Sequence, residues 1–281
     1  MYVVGASRTP GGLGLLAQPA QPAPVVPPPA LGTFARARHE IDQIVNNAAE
    51  AQRWSLAGSL LANGNYRLRI EHPAPAPNNR FRRGTFQRHN KCNLFALDIA
   101  WRSGFRVPLI NRRTPANPQY SYPRSNSMTT YAERAIASGA PRLRGLNGDP
   151  WGAPQSRVLY PVINFAIRGL GALVIVVGWR RSGVGHVGII DQIREIRYDN
   201  AHRITRISYD GWEATGDRGA IRVAPPRRWQ TTNCGPLTGV CRTTPGNPLR
   251  VFCRIHLISL LPEPTPANRG VLVDIPNRCR L

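Results

Sequence analysis

The amino-acid sequence predicts an α+β fold in which helices come first and an antiparallel sheet follows. Two patterns predict it. Up to about residue 105, apolar residues recur at the spacing of amphipathic helices; from residue 171 onward they come in β-branched runs bounded by turn residues. Four of those runs follow one another through short connections, which favours an antiparallel meander over βαβ units. No internal repeat is visible.

The elements follow in order. Residues 1–33, which include "AQPAQPAPVVPPPA", are rich in Pro, Ala and Gly and carry no period that would bury a face, so they read as a disordered tail. Residues 34–281 read as a single domain. Ile41, Ile44, Val45 and Ala48 repeat at helical spacing and Gly64 supplies a stop, predicting one or two helices between Thr33 and Asn63. The Pro/Asn cluster "EHPAPAPNNR" is a loop. From Asn90, the residues Leu94, Leu97, Ala100 or Trp101, and Phe105 fall on one stripe; Asn90 is placed to cap this helix and Gly104 to end it. Residues 106–157 read as a loop-rich insert with a short helix at "SMTTYAERAIAS" after Ser127. Strands are predicted at 171–179, 186–198, 203–212, 219–224 and 251–261.

Composition narrows the partners. A chain of 281 residues can bury a core without metals or staples. Its formal charge is +22, from 37 basic and 15 acidic residues, and Lys91 is the only lysine. Such a surface attracts nucleic acid, anionic membranes or polyanionic cell-wall polymers. The charge is spread through elements with apolar periodicity, so it reads as a solvated face and a steering field. No run reaches the roughly 18 to 20 apolar residues of a membrane span, and no cleaved secretory signal follows Met1. A soluble chain is expected, exported, if at all, by a route that needs no such signal. With Cys92 set apart, Cys234, Cys241, Cys253 and Cys279 allow two disulfides in three connectivities, or four thiols in a reducing compartment. Neither a metal nor a cofactor is implied, because no second close Cys pair or His pair at ligand spacing is present.

Cys92 carries the chemistry. The first turn of a helix favours a thiolate through its free N–H groups and dipole, and the neighbouring Lys91 adds positive charge. A cysteine nucleophile needs a base. His186, in "SGVGHVGIID" at the mouth of a predicted strand, is better held than His89 on a loop or His202 in a turn. A third group must orient the imidazole. If "YDNAHR" closes an even-length turn, 198 pairs with 203 and 188 with 213, which puts Glu213 diagonally across from His186; an odd-length turn exchanges it for Asp210.

At this point the residues carry a resemblance. A "KCN.F..D....G" stretch, an apolar strand opening with Gly, "GHVGII", and a strand ending in Trp and an acidic residue together resemble the papain-like NlpC/P60 and CHAP superfamily of cell-wall amidases and endopeptidases, over about residues 86–215. The resemblance implies a papain-like core, with the cysteine-bearing helix packed on an antiparallel sheet. It implies Cys92 as nucleophile, His186 as base and Glu213 as the residue that holds the base. It also implies cleavage of an amide in peptidoglycan stem peptides through an acyl-enzyme. Arg88, Arg180 and Arg181 flank the motifs and, with Trp212, are the candidate contacts for those carboxylate-bearing peptides. The insert at 106–157 lengthens the separation between Cys92 and His186 beyond the family's pattern and bears on the substrate, since such inserts wall clefts. The lack of a signal, the paired cysteines and a cell-wall substrate combine to an antibacterial effector delivered to a target-cell periplasm, with a cognate immunity protein as partner, or to a lysin.

Three other readings compete. The same dyad serves papain-like toxins that deamidate or acylate a protein. "GVGHVG" satisfies G-x-G-x-x-G and reads as a dinucleotide site if "HVGIIDQIREI" is a helix. A basic nucleic-acid binder requires aromatic residues interleaved with arginine on one sheet face, which "GWEATGDRG" does not resemble, so no nucleic acid is expected.

Overall fold

A computed structural model describes residues 27–58, 91–111, 120–129, 160–180, 185–201, 203–231, 249–265 and 269–272. The fold is mixed α+β. Helices α1 (Phe34–Val45), α2 (Ala48–Arg53) and α3 (Cys92–Arg102) come first, then strands β1 (Val107–Asn111) and β2 (Tyr120–Ser121). Helix α4, described at 125–129, and α5 (Tyr160–Gly169) follow. The remaining strands are β3 (Leu173–Trp179), β4 (His186–Tyr198), β5 (Ile204–Thr215), β6 (Gly219–Thr231), β7 (Leu249–Phe252), β8 (Arg254–Leu260) and β9 (Gly270–Leu272).

Local chemistry sets the helix boundaries. Thr33 Oγ1 accepts from the Arg36 N–H at 3.2 Å and starts α1, which buries Phe34, Ala37, Ile41 and Ile44 at helical spacing. Asn47 Oδ1 caps α2 by accepting from the Ala49 and Glu50 N–H groups. Just before α1, at the expected boundary at residue 33, the Gly32 N–H donates to Ser103 O at 2.6 Å. Helix α3 is buried on nearly every side from Cys92 to Trp101, so the single stripe expected for it is only part of its packing. Gly104, at φ 83°, ends it, with the Phe105 N–H returning to Ala100 O at 2.9 Å.

The main sheet has six strands in the order β7-β6-β5-β4-β3-β8. Strands β3 to β6 form the antiparallel meander; β8 joins β3 antiparallel, and β7 joins β6 parallel. The run expected as one strand over 251–261 is therefore two, parted by Cys253 alone. Because these consecutive strands lie at opposite ends of the strand order, the sheet must curl until its two edges approach. Trp229 and Phe252 fill the inside of the curl with ring centroids 4.4 Å apart, and a Cβ on Gly178 would collide with the Phe252 ring. Cys253 is disulfide-bonded, whereas Cys92 is free. The other three cysteines lie outside the described residues.

Strands β1, β2 and β9 and helix α5 depart from the sequence reading. Strand β1 lies in the stretch read as loop, and pairs with β2 antiparallel and with β9 parallel; Pro108 inside so short a run masks it. Helix α5 was not expected. It buries Ile163, Ala166 and Ile167, and its Asn164 side chain bonds both the N–H and the carbonyl of Ile193 where the β4 ladder shifts register. Among the described residues no helix is long and apolar enough to cross a membrane.

Candidate active site

The start of α3 meets the start of β4, and this junction brings Cys92 against His186. The Cys92 thiol shares a hydrogen bond with the His186 side chain and receives backbone N–H groups from Val187 and Asn93. Lys91 stands at the N-cap of α3 and makes no side-chain cap bond, so no cap competes with the sulfur for the first-turn N–H groups. Asn90, expected to cap, lies outside the described residues. Burial pushes the thiol up, but the His186 charge, the hydrogen bond to its ring and the two backbone N–H groups outweigh it and hold Cys92 below the ordinary thiol range.

His186 sits opposite Gly178 of β3, and its Nε2 lies 3.0 Å from Glu213 Oε2. With a carboxylate as acceptor, Nε2–H donates, which leaves Nδ1 for the thiol. Glu213 is 0% exposed and lies opposite Gly188 on β5, diagonally across from His186. The route to that register differs from the expected one. The turn pairs Tyr198 with Ile204, not with Arg203, and shifts after Arg197, Ile193 and Ile190 bring the ladder back to Gly188 opposite Glu213. Asp210, the alternative, is held elsewhere: its Oδ2 accepts from Arg194 Nε at 2.6 Å.

Three further side chains surround this set. The Tyr209 hydroxyl donates to Glu213 Oε1 at 2.5 Å, and Arg227 Nε approaches Oε2 at 3.5 Å. The Trp229 ring packs on His186 with centroids 5.7 Å apart. None of the three entered the sequence reading. Tyr209 was discoverable, four residues before Glu213 on one strand, hence on the same face unless a bulge intervenes. Arg227 and Trp229 lie in the half of β6 that runs past the predicted end at 224, beyond "APP", where the prolines hide the strand.

The candidate substrate contacts fare differently. Trp212 is 1% exposed, and its ring packs on Phe34 of α1 at 6.2 Å. One residue from Glu213, it faces away from the site on the pleated strand and belongs to the core, which corrects its reading as a substrate contact. Arg180 Nε donates to Val251 O at 3.3 Å, and its guanidinium lies over the Phe252 ring at 5.0 Å. Asn126 of α4 bonds the Arg180 backbone, and Asn93, next to Cys92, donates to Pro123 O. The 123–126 segment thus bridges the two halves of the site. Arg88 and Arg181 lie outside the described residues.

The dinucleotide reading is overturned, because the segment after the glycines is a strand from His186 to Tyr198 and offers no helix start to a pyrophosphate. Two of its glycines serve packing instead. A Cβ on Gly188 would collide with the Tyr209 hydroxyl, and one on Gly185 with Gly178 O and Ser125 Oγ. Among the described residues, no three His, Cys, Asp or Glu side chains are grouped to hold a metal. No protein-family model matches the chain, and comparison with curated proteins and with solved structures likewise found no match.

Proposed function

We propose that this chain is a cysteine-dependent hydrolase with a papain-like core that cleaves an amide bond of peptidoglycan stem peptides. One observation carries the reaction class. A free thiol at an uncapped helix start, held below its ordinary range, touches an imidazole whose far nitrogen is fixed by a buried carboxylate. The substrate class rests on the resemblance of "KCNLF" and "GHVGII" to NlpC/P60 and CHAP enzymes, and on a +22 surface suited to carboxylate-bearing peptides.

In this mechanism the Cys92 thiolate adds to the scissile carbonyl carbon. The Cys92 N–H, which has no acceptor within its own helix, donates to the oxyanion. The His186 imidazolium then protonates the departing amine through Nδ1 as the C–N bond breaks. A water, deprotonated by the now neutral His186, attacks the thioester and releases the carboxylic acid and the thiol. Glu213 keeps the ring in the required tautomer throughout.

The disulfide at Cys253 fits work in an oxidising compartment, where peptidoglycan lies. An antibacterial effector countered by an immunity protein, or a lysin, meets that condition. Incubation with purified sacculi, followed by mass spectrometry of the released muropeptides, tests the proposal. New amine and carboxyl ends are expected with the wild type and not with Cys92→Ala or His186→Ala. Equal digestion by both variants removes the mechanism; intact sacculi with a reactive Cys92 move the substrate to a protein amide.

A further inference from the structure

We propose that Lys91 is a positioning residue that fixes the nucleophile from outside its helix, an inference that rests on the reading of Cys92 as the nucleophile. Its side chain runs away from the thiol. The Lys91 Nζ donates to Ser55 O and, at 2.9 Å, to Gly58 O, both in the segment that follows α2.

That segment is a firm platform. Ser55 Oγ accepts from the Gly58 N–H at 3.0 Å, the Leu56 N–H donates to Gly216 O at 2.7 Å in the turn between β5 and β6, and the Trp54 ring packs edge-on against Phe95 of α3 at 5.1 Å. Through Lys91, the residue preceding Cys92 is tied to the turn at Gly216, three residues past Glu213. A Ser or Asp cap would also hold the helix start, but by taking first-turn N–H groups that the sulfur uses. An anchor reaching outward leaves those groups to the thiolate.

The residue type fits the role. Every other basic side chain in the chain is arginine or histidine, and this lysine is 2% exposed. A compact ammonium with rotatable donors suits two converging carbonyls, whereas the fork of the buried Arg269 guanidinium spreads over three, of Glu263, Trp101 and Pro264. Burial pulls its pKa down to about 8, so the ammonium persists at neutral pH.

The test reads the thiol rather than the hydrolysis. Iodoacetamide alkylation of Cys92 is followed by peptide mass spectrometry as a function of pH in the wild type, Lys91→Met and Lys91→Arg, with the α5 core variant Ile167→Ala as a stability control. Both Lys91 variants are expected to alkylate about tenfold more slowly at pH 6, the effect of raising the thiol by roughly one pH unit, while the control keeps the wild-type rate. A folded Lys91→Met protein that alkylates like the wild type overturns the proposal. A second arm needs no variant: Lys91 in the native wild type should resist acetylation by an N-hydroxysuccinimide ester that modifies it in urea, and equal rates overturn the anchor. A wild-type thiol in the ordinary range instead overturns the nucleophile itself, and the inference with it.

Discussion

The Tyr209 hydroxyl and His186 take opposite oxygens of Glu213: the phenol donates to Oε1 at 2.5 Å and the imidazole lies 3.0 Å from Oε2. A carboxylate removed from water costs several kcal/mol unless its lone pairs are filled, and this division offsets that cost for the buried Glu213 side chain. Arg227, 3.5 Å from Oε2, adds the compensating charge. In the thiolate–imidazolium state that the proposed mechanism uses, a carboxylate and a guanidinium complete the cluster and the formal charges cancel.

Tyr209→Phe removes the phenol donor from the buried Glu213 Oε1. It is expected to lower stability by about 1–3 kcal/mol and to reduce turnover, because the carboxylate is then free to rotate off His186. Gly188→Ala drives a methyl group against the same hydroxyl and should cost a comparable amount in the wild type. In the Tyr209→Phe background that collision is gone. The cost of Gly188→Ala should shrink there, and urea unfolding of the four proteins reads the coupling; strict additivity refutes the close approach.

The two carboxylates of β5 separate cleanly by substitution. Glu213→Gln keeps the shape but replaces the carboxylate opposite His186 and Arg227 with a neutral amide, so turnover in the proposed reaction should fall by at least about 100-fold. Asp210→Asn breaks only the partly exposed pair with Arg194, a change of at most about 1 kcal/mol in stability with turnover kept. The reverse ranking would transfer the orienting role to Asp210.

How much of this was legible in the sequence depends on where each signal lives. The helix carrying Cys92 and the strand opening with His186 announce themselves through local period and turn residues, and Gly104 ends its helix where expected. The partnership of His186 with Glu213 was reached through a simple turn, whereas the chain uses three register shifts that no local pattern encodes. Helix α5, in "YPVINFAIRG", does carry a helical stripe of Ile163, Ala166 and Ile167, but the exposed Val162 and Phe165 beside it and Pro161 at its start obscure the period. Arg227 and Trp229 become neighbours of Glu213 and His186 only once β5 and β6 pair and the sheet curls, whereas Tyr209 shares its strand with Glu213. Trp212 shows the converse. Its place beside an acidic residue invites a functional reading, but the pleat turns it to the core.

Phe252 tests whether the curl holds the base. Its ring packs on Trp229, which packs on His186, and the Arg180 guanidinium lies over it at 5.0 Å. Phe252→Ala should destabilise the fold by roughly 3–5 kcal/mol. Because Trp229 then loses its support, turnover of the folded fraction should fall as well. A core truncation in α5 such as Ile163→Ala should lower stability without touching kcat. Thermal unfolding beside initial rates distinguishes the two, and equal kcat in both variants would remove Trp229 from the support of His186.

The pH dependence of thiol reactivity follows from the forces on Cys92. Burial alone would hold the proton on sulfur, and the charge and hydrogen bond of His186, with the N–H groups of Val187 and Asn93, reverse the sign. Only the thiolate alkylates, and below its pKa the thiolate fraction falls tenfold per pH unit. The wild-type rate should therefore stay on its plateau as pH drops through the ordinary thiol value of about 8.5 and decline only at more acidic pH. In His186→Ala two of the opposing forces vanish while burial remains, so the decline should begin at a higher pH than in the wild type. Glu213→Gln should fall between the two, because the ring persists without its fixed partner. If the wild-type and His186→Ala profiles superimpose, the imidazole does not govern the sulfur, and the contact between them is packing alone.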